Sequence, residues 1–157
     1  MDSHKVFVGC CMVILNPAGD KILVARRKKD PDIGGLQLPG GTVDYANGED
    51  IRSAVVREIK EETGLDIVDP EFLCAMNTFY YGPERPLHIA FVGKSITEEL
   101  PPNPEPHKAE DWQWIELENL PDDSWFRMSK VAIDFFKELK NDPTANRFLI
   151  DQEYLQP

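Results

Sequence analysis

The stretch EDIRSAVVREIKEETGL, from Glu49 to Leu65, constrains this chain more than any other. It has helical character from Glu49 to Thr63, and Gly64 stands where a helix stop is expected. On a helix turning about 100° per residue, Ile51, Ala54, Val55 and Ile59 share one arc about 140° wide, the stripe that faces a core. Glu58 and Glu62 fall inside that arc, Glu61 lies on its edge, and Ser53, Arg57 and Lys60 lie opposite. Inward carboxylates four residues apart repel each other, and desolvating them is costly unless a cation compensates. A cluster of hard oxygen donors suits Mg²⁺ or Mn²⁺. The competing reading is a helix end whose acids curl out to water.

Around this helix the pattern is mainly strands. KVFVGCCMVIL and KILVARRKK read as a first and second strand joined by the turn NPAGD. LQLPGGTVD reads as a short strand broken by Pro39, Gly40 and Gly41. EFLCAMNTFYY and LHIAFVGKSI flank the turn GPERP, and DWQWIEL alternates as a further strand after a Pro-rich acidic loop. SWFRMSKVAIDFFKELK carries Val131, Phe135 and Leu139 at helical spacing; the tail from Asn141 onward has no clear pattern. Mixed strands with one central and one late helix predict an α+β chain, an α/β/α sandwich around a mixed sheet. With 157 residues and no internal repeat, one domain over 1–157 is expected, its core about 5–140.

Gly41, Glu49 and R57-E58-I59-K60-E61-E62-T63-G64-L65 together resemble the box of the Nudix hydrolases, G-x5-E-x7-R-E-U-x-E-E-x-G-U with U apolar. From Glu49 to Leu65 the match is complete. Between Gly41 and Glu49 it departs, with seven residues in place of five, which puts the roles of those two residues in question. LQLPGG before the box and DWQWIELENLP after it are similar to the small MutT-like nucleoside triphosphate diphosphatases, so the resemblance runs from roughly Val6 to Phe136.

The resemblance implies hydrolysis of a nucleoside diphosphate linked to another group, with Mg²⁺ or Mn²⁺ holding the pyrophosphate. It implies Glu58 and Glu62 as principal metal ligands. Glu61 is a third ligand or helps to activate the water, and a backbone carbonyl of Gly41 or Gly40 completes the shell. Arg57 is expected to orient a carboxylate, with Glu49 as candidate partner. A further acid outside the box is sought in NPEPHKAEDW, where Glu110 is preferred over Glu105; His107 is a nearby candidate base, and a solvated loop is the ordinary alternative for each. Strand alternation sends Arg26 and Arg27 to opposite faces, and Arg27 is the candidate phosphate contact. Gly40, Thr78 and Trp114 are candidate substrate contacts, with Asn77, Phe79 and Tyr80 as further pocket candidates. Trp112 and Trp114 share a face, and core packing competes with stacking on a base for both.

The expected substrate is a nucleoside triphosphate, standard or modified, cleaved to the monophosphate and pyrophosphate. ADP-ribose, a dinucleoside polyphosphate or a non-nucleotide diphosphate are alternatives, as is a non-catalytic nucleotide sensor, which the intact box acids argue against. A net charge of −11 argues against binding nucleic-acid polymers through their phosphates. No apolar run is long enough for a membrane span, and the N-terminus reads as a strand rather than a signal peptide. Three cysteines, two of them adjacent, make no disulfide framework and suggest a reducing, cytoplasmic compartment. The resemblance also implies a homodimer.

Overall fold

The computed structural model describes residues 7–67, 69–77 and 87–150, the last three as backbone only. Among these described residues, eight strands form one mixed sheet: β1 Val8–Leu15, β2 Lys21–Arg26, β3 Leu36–Gln37, β4 Gly40–Thr42, β5 Glu71–Asn77, β6 Leu87–Lys94, β7 Gln113–Glu116 and β8 Phe148–Ile150. Two helices accompany them, α1 Ile51–Thr63 and α2 Arg127–Asn141. The main path runs β3-β2-β1-β6-β5-β8, with β7 pairing β2 and β4 pairing β1. β1 and β6 are parallel, as are β5 and β8; the other pairs are antiparallel.

Alternation along β1 explains the layers. Met12 and Ile14 face one side with Leu23, Phe91 and the α1 residues Ala54, Val55 and Ile59. Cys11 and Val13 face the other with Val24, Ala90 and the α2 residues Ala132, Ile133, Phe135 and Phe136. Each sheet face therefore has its own apolar cluster and its own helix, the arrangement expected of an α/β/α sandwich.

The feature that makes a site is a fork. β1 and β2 pair at Leu15↔Ile22, and beyond that point β2 takes β3 as partner while β1 takes β4. The broken strand around Pro39 fills the opening. Pro39 has no N–H to donate, yet its carbonyl accepts from Met12 N–H at 3.0 Å, so the chain crosses the fork without a lost acceptor.

Both helices begin later than the sequence suggests. Asp50 caps α1, its carboxylate accepting from the N–H groups of Arg52 and Ser53 at 2.9 and 3.0 Å, which leaves Glu49 outside the helix. Gly64, at φ +71°, closes it with an N–H bond to the Lys60 carbonyl. α2 starts at Arg127, after a turn through Ser124 at φ +64°. The short β8, hidden in the patternless tail, is held by β5. The expected turn GPERP lies outside the described residues.

Asp50→Ala removes both acceptor bonds to the first turn of α1. We expect a loss of about 1 kcal/mol, read as a fall in Tm of roughly 2–4 °C by differential scanning calorimetry.

Candidate active site

The residues of the glutamate-rich helix reach the fork through strand β4. Gly41 pairs with Cys10, and the flanking bonds Val43 N–H to Val8 O and Met12 N–H to Pro39 O set the phase of the ladder. By the alternation of an antiparallel pair, Gly41 spends its N–H and carbonyl on β1, while Gly40 and Thr42 turn theirs away from it. α1 occupies that side. Glu62 Oε2 accepts from Gly40 N–H at 2.9 Å, and Glu58 Oε1 accepts from Thr42 N–H at 3.1 Å. A Cβ on Gly41 would fall inside the Glu58 carboxylate, so glycine is needed there for close approach.

Arg57 closes the arrangement from the helix's outer edge. Its Nε and Nη2 donate to the two Glu49 oxygens at 2.7 and 3.0 Å, its Nη1 to Glu58 and Glu61 at 3.1 and 3.0 Å, and its Nη2 to the Thr42 carbonyl at 3.1 Å. Glu49 thus keeps its pairing with Arg57 despite the longer loop. The added length is taken up by a 3₁₀ turn over Tyr45–Asn47 that ends at Gly48, φ +75°. Across this turn, Asp44 N–H donates to Glu49 Oε2 at 2.9 Å.

Burial raises the Glu62 carboxyl from its ordinary 4.5 to about 7, opposed by the Gly40 N–H and reinforced by the charge of Glu58. Glu105 adds to that rise and Lys108 counteracts it, so both stand within electrostatic reach of Glu62; they also form an ion pair with each other. Their loop is tied at its base by Asn103, whose Nδ2 donates to the Ala109 carbonyl. Trp112 Nε1–H donates to the Glu62 backbone carbonyl at 3.0 Å and anchors the end of α1.

A cavity of about 290 Å³ opens here. Its walls include Gly40, Gly41, Thr42 and Glu62, then Cys10, Cys11, Arg27, Lys29, Gln37 and His88, and finally Phe7, Leu38, Phe126, Met128 and Ser129. Arg27 faces it while Arg26 is exposed, as strand alternation predicts. The Arg27 guanidinium lies 4.4 Å over the Phe126 ring. Ser129 Oγ accepts from Leu38 N–H at 2.9 Å and ties the start of α2 to the fork.

Several expectations need correction in detail. Gly41 cannot lend a free carbonyl, because Cys10 takes it; Gly40 has the carbonyl on the helix side. Glu61 is more than half exposed and held by Arg57 rather than gathered with Glu58 and Glu62. Of the two loop acids, Glu105 rather than Glu110 approaches Glu62; Glu110 is exposed, its N–H bound to the Arg26 carbonyl. His107 is exposed as well. Trp114 is not in the cavity: it pairs with Leu23 across the β2–β7 ladder, so its side chain joins the α1-side cluster. Thr78, Phe79 and Tyr80 lie outside the described residues.

Sequence reasoning missed Gln37 and His88. His88 had a legible signal, since it shares a strand face with the apolar Ala90 and Val92. Gln37 had none beyond its place before the Leu-Pro-Gly-Gly break.

The donor set fits a hard cation. Among the described residues no three His, Cys, Asp or Glu side chains converge on one point. Two carboxylates and the Gly40 carbonyl are the oxygens at hand, and Mg²⁺ is commonly held by one or two carboxylates, waters and substrate phosphates.

Comparisons with known proteins identify the family. The NUDIX domain family model matches residues 5–135, and the chain belongs to that family. It is 36% identical over 127 residues to an ADP-ribose pyrophosphatase of Methanocaldococcus jannaschii, covering 78% of this chain and 65% of that protein. It is 30% identical over 111 residues to the NAD-capped RNA hydrolase NudC of Stutzerimonas stutzeri, covering 70% of this chain and 37% of that protein. The chain therefore spans less than two thirds of either relative. A MutT NUDIX hydrolase from Burkholderia pseudomallei superposes with a TM-score of 0.72 at 29% identity, over 83% of this chain and 97% of that one. No helix among the described residues is long and apolar enough to cross a membrane.

The raised Glu62 carboxyl has a consequence for stability. Its folded value lies above its unfolded one, so the stability it contributes is fully present below about pH 4.5 and is lost as pH rises through about 7. In the presence of a chelator, Glu62→Gln removes this loss. The variant should be the more stable protein at pH 8, by on the order of 2–3 kcal/mol, and near equal to wild type at pH 4.5, as measured by urea denaturation at both pH values.

Proposed function

We propose that this chain is a Mg²⁺- or Mn²⁺-dependent pyrophosphohydrolase that cleaves a nucleoside triphosphate to the monophosphate and pyrophosphate. One observation carries the reading: two inward glutamates are seated on the backbone N–H groups of β4, and one of them, Glu62, lines the same cavity as a fixed arginine. Glu58, Glu62 and the Gly40 carbonyl would hold the cation. When bound, it would neutralise phosphate charge and lower the pKa of an attached water.

The remaining roles belong to the chain's own groups. Arg57, itself held by Glu49, keeps Glu58 and Glu61 in place. Glu105 takes the proton of the attacking water at its carboxylate, and Lys108 steadies that carboxylate. Arg27 and Lys29 meet the phosphates at the cavity wall. A cavity of about 290 Å³ suits a single ring system, at the low end of small-molecule sites of ~300–1,000 Å³. The reducing compartment and homodimer expected from the sequence belong to this proposal too.

A second reading keeps the chemistry and changes the leaving group, because the Methanocaldococcus relative bears the name ADP-ribose pyrophosphatase. A hydrolysis screen with product analysis separates the two. Release of pyrophosphate from nucleoside triphosphates, dependent on Mg²⁺ or Mn²⁺, supports the first; AMP and ribose phosphate from ADP-ribose alone would replace it with the second. Glu62→Gln should lower kcat a hundredfold or more, on the order expected for lost electrostatic stabilisation, with an unchanged circular dichroism spectrum. A near wild-type rate in that variant would remove Glu62 from the metal site.

A further inference from the structure

The cavity wall carries two polar side chains, Gln37 and His88, for which the hydrolytic chemistry has no use. Arg27 fixes the first of them. Its guanidinium stacks on Phe126 at 4.4 Å, Nε donates to the Pro31 carbonyl at 2.7 Å, and Nη2 donates to the Asp30 carbonyl at 2.9 Å. Held in this way, it donates through Nη1 to Gln37 Oε1 at 3.2 Å.

That contact decides which way Gln37 points. A guanidinium offers donors and no acceptor, so Gln37 must give it the carbonyl oxygen and turn its amino group away. Gln37 is only 6% exposed and lines the cavity, and among the described residues its amino group has no partner. That amino group opens onto the cavity, where an acceptor placed against it gains a hydrogen bond and a donor does not.

His88 lines the same cavity. It stands over Gly9, where a Cβ would lie 2.5 Å from its Nδ1, so the glycine makes room for the ring. Burial drops its pKa to about 4, and it is neutral at physiological pH. A neutral imidazole presents one donor and one acceptor, and among the described residues His88 has no hydrogen-bond partner. Leu38, Phe126 and Met128 supply apolar surface for a flat ring.

We propose that Gln37 and His88 read the edge of the nucleobase, and that the site selects bases carrying an exocyclic oxygen over their amino counterparts. An oxygen at the 6-position of a purine or the 4-position of a pyrimidine accepts from the Gln37 amino group. An amino group at that position sets donor against donor. His88, with both a donor and an acceptor, matches the ring nitrogen beside it in either protonation state. The inference rests on the reading of the cavity as a nucleotide site.

The test compares ligands that differ at that position and in the proton on the ring nitrogen beside it, which His88 accommodates in both forms. Without divalent cation, binding of IMP and AMP, and of UMP and CMP, is measured by titration calorimetry. With Mg²⁺, kcat/KM is measured for ITP and ATP. We expect IMP over AMP, UMP over CMP and ITP over ATP by about tenfold or more, the ITP advantage lying in KM. Gln37→Glu, which exchanges the donor for an acceptor, should narrow or reverse the order. Equal binding within each pair, or a preference for AMP and CMP, overturns the inference and leaves the hydrolase proposal standing if the triphosphates are still cleaved. Absence of nucleotide binding overturns it too, and the hydrolysis screen then shows separately whether a diphosphate is cleaved. The wild-type comparison needs no variant to fold.

Discussion

One guanidinium holds the candidate site in register. Arg57 spans the loop through Glu49, strand β4 through the Thr42 carbonyl, and helix α1 through Glu58 and Glu61. Five contacts at 2.7–3.1 Å use the planar fork of donors that a lysine lacks. Without it, the helix would present a row of carboxylates with nothing fixing their distance from the glycine strand. The same group compensates charge: Glu58 is largely buried, and Arg57 is the cation bound to it. Arg57 and Lys108 both supply positive charge near the glutamates.

The rest of the site depends on the fork in the sheet. If β1 and β2 stayed paired along their length, no strand end would lie open between the two helices. The broken segment Leu36–Thr42 wedges them apart and serves both layers. Leu38 packs on the α2 side and donates its N–H to Ser129 Oγ, while Gly40 and Thr42 offer backbone N–H groups to α1. The cavity draws its walls from both layers because the sheet is split there.

This division explains what could be read from the sequence. The inward turn of Glu58 and Glu62 was legible because a helix has a fixed period, and the apolar stripe of Ile51, Val55 and Ile59 set its phase. The Arg57–Glu49 pairing survived a longer loop because Asp50 caps the helix just after Glu49, so Glu49 moves with the helix end and the extra length is absorbed upstream. What failed depended on partners distant in sequence. Trp114 shows a strand face, but which layer that face meets is set by pairing with Leu23. The choice between Glu105 and Glu110 turns on the path of an irregular loop, which has no period to read. Gly40 and Gly41 look equivalent as letters, and only the phase of the β1–β4 ladder tells them apart.

Burial also sorts the cavity's titratable groups by charge. The Cys10 thiol is pushed up to about 11 and the His88 imidazole down to about 4, so both are neutral near pH 7. The charged groups left on the cavity walls are Glu62, Arg27 and Lys29. A pyrophosphate needs positive charge on both flanks of its bridge, and a nucleobase needs none. Desolvation thus removes charge where a neutral ring would lie. It leaves Glu62, raised to about 7, as the group whose charge is least favourable without a cation and most strengthened by one.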